Sequence, residues 1–233
     1  MTDAILRVGF SFSKPPFVLA DPPFTDADYD VEGGGLGLEI DIFRTVLEPL
    51  GHSFRPVYLD YDALNPELAA GHIDAAATVR PELDDAFYTG MFVSFHNFAI
   101  TRSSAARPID RVEDLAGRNV VAWEGAHFDL GEQFAAAVEQ AASYRELGNQ
   151  HGQVQDFLDG SSDVLVIDGL VFRHWARAGG LDPDAFEFHE IFEPITTFRA
   201  GFWSDTLRDG FDAGLKELRS SGEYQRIVDS YVD

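Results

Sequence analysis

The 233-residue sequence predicts an α/β protein of two lobes, each a mainly parallel sheet flanked by helices. Strand-like and helix-like stretches alternate along most of the chain. Short, almost wholly apolar runs such as IDAAATV (73–79) and VLVI (164–167) have the character of strands covered on both faces. The polar segment TRSSAARPID (101–110) interrupts the alternation, which then begins again.

The first lobe opens with a strand at 5–10. In the loop SFSKPPF (11–17), Pro15 and Pro16 oppose helix and Lys14 stands at the centre, either solvated or functional. Residues 21–37, rich in Pro, Asp and Gly, form a loop or hairpin; GGGLG within it lacks the G-x-G-x-x-G spacing of a dinucleotide site. Ile42, Phe43, Val46, Leu47 and Leu50 give a helix over 39–50, followed by a strand at 53–58.

The central stretch is LDYDALNPELAAGHIDAAATVRPE (59–82). Asp60 and Asp62 are candidate N-caps, Leu64 and Leu68 lie one helical turn apart, and Gly71 stops the helix. The buried strand that follows ends in Thr78, Val79 and Arg80. Two successive strand–helix–strand units imply right-handed crossovers and a parallel sheet. Ligands of open α/β sheets bind beyond the carboxyl ends of the strands, which groups Tyr61, Thr78 and Arg80 near one crevice. Residues 87–100 are aromatic and extended.

The pattern resumes at Val112: strand 120–123, turn at Gly125, helix 128–140, strand 144–147, helix 150–158, strand 164–167 ending at Asp168, helix 169–178 and strand 186–191. After an extended segment at 196–203, Leu207, Phe211, Leu215 and Leu218 mark a helix; Gly222 breaks it before a last one through Tyr224, Ile227, Val228 and Tyr231. The expected boundaries are lobe 1 at 1–98 plus 201–233 and an inserted lobe 2 at 99–200. Hinge strands are expected near 97–103 and 196–203.

Composition narrows the function. A formal net charge of −23, with two lysines against fifteen arginines, argues against nucleic acid or an anionic membrane as partner and for a solvated acidic surface. The absence of cysteine excludes disulfides, thiol catalysis and cysteine-ligated metals. The seven histidines show no metal-ligand spacing and there is no G-x-S-x-G, so neither a metal, a cofactor nor a serine nucleophile is expected. No run reaches the roughly 18–20 apolar residues of a membrane span. Thr2 and Asp3 lead directly into the first strand without a leader, which fits a mature exported form or a cytoplasmic protein.

Six stretches in order, VGFSFSKPPF, GLGLEIDIFRTVLEPLG, DYDALNPELAAGHIDAAATVRPE, RVEDLAGRNVVAWEGAHF, VQDFLDGSSDVLVIDG and TLRDGFDAGLKELRSSGEYQRIVDSYV, resemble the family 3 extracellular solute-binding proteins over nearly the whole length. These are type II periplasmic binding proteins serving mainly amino-acid uptake. The resemblance implies a periplasmic-binding-protein-like II fold, a periplasmic monomer that closes on a small-molecule ligand, and an ABC permease as partner. It places Tyr61 against the ligand and Asp168 opposite the ligand ammonium. The turn Gly125–Ala126–His127 stands where the family offers G-S-T donors to a carboxylate, with Trp123 lining the site. Lys14 falls where relatives carry an aromatic, and Ser11 where binders of basic amino acids carry an acid. TVRPEL is shorter than the family's loop, its usual arginine position falls on Leu83, and Arg80 is the substitute.

Each residue also has a plain structural reading: Tyr61 and Trp123 as core aromatics, Asp168 as a helix cap, His127 as a surface histidine, Arg80 in an ion pair. The preferred reading is binding without catalysis. Two alternatives use the same resemblance: a cyclohexadienyl-dehydratase-like lyase employing Asp168, Lys14, Arg80, His127 and Trp123, or the sensing module of a signalling system.

Overall fold

The computed structural model describes residues 5–29, 37–103, 107–195 and 198–231. The chain start, most of GGGLG, the centre of TRSSAARPID and the beginning of the second extended segment lie outside these residues. Two compact units form: Met1–Ser94 with Thr196–Asp233, and Phe95–Ile195.

In the first unit β1 (Leu6–Ser11), β2 (Phe54–Leu59), β3 (Ala75–Val79), β4 (Phe87–Met91) and β10 (Arg199–Phe202) make one sheet in the order β2-β1-β3-β10-β4. β1 is parallel to β2 and β3, while β10 is antiparallel to both its neighbours, β3 and β4. The second unit repeats the plan with β5 (Asn97–Arg102), β6 (Asn119–Trp123), β7 (Ser143–Leu147), β8 (Val164–Asp168) and β9 (Phe186–His189), ordered β7-β6-β8-β5-β9. There β5 is the antiparallel strand. Each sheet is therefore mixed, with four of its five strands pointing one way. The aromatic segment 87–100 divides into β4 of one unit and β5 of the other.

Helices α1 (Leu38–Leu47), α2 (Leu64–Ala69), α7 (Asp205–Ser220) and α8 (Glu223–Asp229) belong to the first unit; α3 (Ala126–Asp129), α4 (Gly131–Glu139), α5 (Gln150–Leu158) and α6 (Gly169–Ala178) belong to the second. The expected helix at 128–140 begins earlier and is broken in two, because Gly131 takes φ 81°. Asp60 and Asp62 are not side-chain caps: a 3₁₀ turn, Tyr61–Ala63, leads into α2 and no cap bond is made at either start.

The first core centres on Phe43, whose ring meets Phe211 at 4.5 Å, Phe92 at 5.4 Å and Phe10 at 5.4 Å. All four are fully buried. The second unit buries Val120, Phe134, Val164 and Val166 in one cluster. At its boundary Phe95 and Ile195 exchange backbone hydrogen bonds of 3.0 and 2.9 Å, holding the two ends of the inserted segment side by side.

The loop before α1 caps that helix. Leu38 N–H donates to Pro16 C=O and Glu39 N–H to Phe17 C=O, each at 3.0 Å, satisfying orphan donors of the first turn. Gly37 makes this approach feasible: its φ is 133°, and a Cβ there would lie 2.3 Å from the Phe17 carbonyl oxygen. Gly37→Ala is expected to lower stability by roughly 1–3 kcal/mol in urea unfolding; a change under about 0.5 kcal/mol would contradict this account of the contact.

Candidate functional site

The candidate residues of the first unit lie around the carboxyl ends of β1, β2 and β3. Ser11 ends β1 opposite Leu59. Tyr61 opens the 3₁₀ turn after β2 and sets its ring edge-on to Phe198, centroids 6.3 Å apart. Arg80 follows β3 with its guanidinium 5.5 Å from the same ring. Burial raises the Tyr61 hydroxyl above the ordinary tyrosine pKa, opposed by the nearby charge of Arg80. Tyr61 and Arg80 thus share Phe198, a residue that carries no chemical signal in the sequence beyond its extended setting.

Thr78 owes its conformation to the sheet. Arg199 of β10 pairs with Val79 and Met91, and Gly201 with Ala76 and Tyr88. Ala200 alone therefore faces two residues of β3 and two of β4. The extra residue in β3 is absorbed as a bulge, where Thr78 adopts φ 54°, a rare state for a β-branched side chain. Its Oγ1 is buried without a hydrogen-bond partner among the described residues. On the other flank Thr89 Oγ1 accepts from Ala200 N–H at 3.1 Å.

Lys14 is not a solvated loop lysine. Its Nζ lies 2.8 Å from Oε1 of Glu39, with 14% of the lysine side chain and none of the glutamate side chain exposed. The contact is an ion pair from the SKPPF loop to the first turn of α1.

In the second unit the turn after β6 is organised by a carboxylate. Glu146 on β7 pairs in register with Ala122 of β6. Its Oε2 accepts from Gly125 N–H at 2.9 Å. Oε1 accepts from His127 N–H at 3.1 Å and from the Tyr144 hydroxyl at 2.6 Å, and lies 2.7 Å from His127 Nδ1. Burial raises the Glu146 pKa, but these hydrogen bonds outweigh it and hold the group down at about 2. The Tyr144 hydroxyl is correspondingly raised by burial and by its bond to Glu146. Ala126 is fully buried, Trp123 donates Nε1–H to Asp129 at 3.1 Å, and Phe128 stands 77% exposed beside His127.

Asp168 ends β8 and caps α6. Oδ1 accepts from Leu170 N–H at 2.8 Å and Val171 N–H at 3.3 Å, and Oδ2 accepts from His96 N–H at 2.8 Å. The carboxylate is buried. Among the described residues no histidine, aspartate and glutamate side chains gather as a metal site, and no helix is long and apolar enough to cross a membrane.

Residues 6–233 match the bacterial extracellular solute-binding proteins, family 3. The chain belongs to that family. Among curated relatives of this solute-binding protein, the L-arginine-binding protein of Pseudomonas aeruginosa is 24% identical over 98% of this chain and 88% of its own. Among solved structures, the GluR0 ligand-binding core in complex with L-glutamate superposes with TM-score 0.75 at 17% identity, covering 100% of both chains. The ancestral amino-acid-binding protein AncCDT-1, a precursor of cyclohexadienyl dehydratase, superposes with TM-score 0.72 at 21% identity, covering 98% of this chain and 96% of its own. Both share the two-lobed fold of this solute-binding protein.

The depressed pKa of Glu146 fixes a sign. A carboxyl held below its ordinary value contributes stability that is fully present above about 4.5 and is lost as pH falls towards about 2. Glu146→Gln should therefore be less stable than the parent near neutral pH, the gap closing across that acid range in urea titrations. A gap independent of pH would show that the carboxylate charge contributes nothing there.

Proposed function

We propose that this solute-binding protein closes its two lobes on a small polar or zwitterionic organic molecule, an amino acid or a derivative of one. On this reading it acts as a monomer outside the cytoplasmic membrane and delivers the solute to an ABC permease. The observation that carries the reading is the convergence of Arg80 and Tyr61 on Phe198 at the carboxyl end of the first sheet. A guanidinium offers a planar, bidentate fork to a carboxylate, and the aromatic rings give a solute apolar surface to lie against. Closure removes ligand charge from water, which is tolerable only where that charge is met by a partner. Arginine and glutamate binding by the relatives supports an amino-acid class of ligand.

The protein is proposed to bind without transforming its ligand. Groups that a lyase would use for proton delivery are engaged in holding the fold: Lys14 on Glu39, His127 on Glu146, and Asp168 on three backbone N–H groups. Incubation with prephenate or arogenate is expected to release no aromatic product. Catalytic turnover in that assay would establish the lyase instead.

Thermal-shift and calorimetric screening of the refolded, ligand-free protein against amino acids and their derivatives tests the binding role. A ligand at 100 times its Kd adds about 2.7 kcal/mol and should raise the unfolding midpoint by several degrees. Arg80→Ala should then weaken the best ligand at least about tenfold, equivalent to about 1.4 kcal/mol, with little change in apo stability. Undiminished affinity would remove Arg80 from the site.

A further inference from the structure

Three donors from the turn after β6 and one from β7 converge on a carboxylate that the protein itself supplies. Gly125 N–H, His127 N–H, the His127 ring and the Tyr144 hydroxyl all meet Glu146. Oε1 carries three of these contacts and Oε2 one, close to what two carboxylate oxygens accommodate. The turn follows β6 at its carboxyl end, the edge of an open α/β sheet at which solutes are received. Donors placed there would suit an incoming anion, but they are taken by a group that stays ionised far into acid. A second carboxylate brought to the turn would find its partners occupied and a like charge beside it.

We infer that Glu146 is a specificity-determining residue: it fills the anion-binding turn of the second unit from within, so that the solute presents an amine, amide or hydroxyl group there and not a carboxylate. This rests on the solute-binding reading and narrows its ligand class. Any carboxylate of the solute is left to Arg80. The exposed Phe128 ring beside His127 suits the same class, since an aromatic face attracts a cation and repels an anion.

Two measurements on the full chain test it. In the first, acetate is titrated against wild type and Glu146→Ala while the unfolding midpoint is followed at constant ionic strength. Acetate should raise the midpoint of the variant and leave the wild type unmoved; a variant that is equally indifferent to acetate overturns the inference. The second uses wild type alone, and so does not depend on the variant folding. Acidic amino acids, which keep one carboxylate for Arg80, are compared by calorimetry with their side-chain amides, glutamate with glutamine and aspartate with asparagine. At least tenfold preference for the amide member of each pair is expected, and equal or tighter binding of the acidic member overturns the inference. If neither series binds, the solute-binding reading falls, and the acetate titration still decides whether Glu146 occupies an anion site.

Discussion

Strand β10 is inserted between β3 and β4, antiparallel to both and one residue shorter than each over the stretch it pairs. That mismatch shapes the first half of the candidate site. The sheet keeps its ladders by bulging on both sides of Ala200, and the bulge in β3 pushes Thr78 to a positive φ one residue before the strand ends. The same strand is led in by Phe198, the ring that Tyr61 and Arg80 share. Residues more than a hundred positions apart in sequence are thus placed by a single register.

Two carboxylates, that of Glu39 buried and that of Glu146 partly buried, serve as fasteners. Glu39 ties the SKPPF loop to the first turn of α1 through Lys14, and Glu146 ties the turn before α3 to β7. Both sit where helix starts leave N–H groups without intrahelical partners. Burial makes each expensive to leave alone, so removing one partner costs more than the pair adds. By contrast, pairs such as Arg226–Glu223 and Lys216–Asp212, whose cations are well exposed, belong to the class that contributes at most about 1 kcal/mol. In a chain so rich in acid, the significant carboxylates are the few that are enclosed.

Much of the fold was legible because apolar periodicity is local. Helices α5 and α6 fall on the residues that their spacing indicated, and the buried runs around Ala76 and Val166 are strands. Strand direction was less so: the extended character of 97–102 and 199–202 was visible, but not that each runs against its neighbours, since pairing is decided by distant partners. For the candidate site the sequence indicated only some of the neighbours. Tyr61 and Arg80 do meet, through Phe198. Lys14 and Glu146 could not be interpreted from their own neighbourhoods, because the partner that defines each is fixed by folding: Glu39 lies across a loop, and Gly125 and His127 on an adjacent strand's turn. Asp168 shows the limit of motif reasoning, since the position implied for ligand contact also accepts three backbone amides.

The chain order gives the register of β10 a consequence during biosynthesis. Residues 95–195 leave the ribosome between β4 and β10, and at about 5–20 residues per second that interval lasts on the order of 5–20 s. Throughout it, β3 and β4 lack the strand that separates them, and the first sheet presents two unsatisfied edges. The second unit is continuous in sequence and can complete its own sheet in that time. The unit that begins first therefore finishes last, and a nascent chain of this protein passes through a state with strand edges still unpaired.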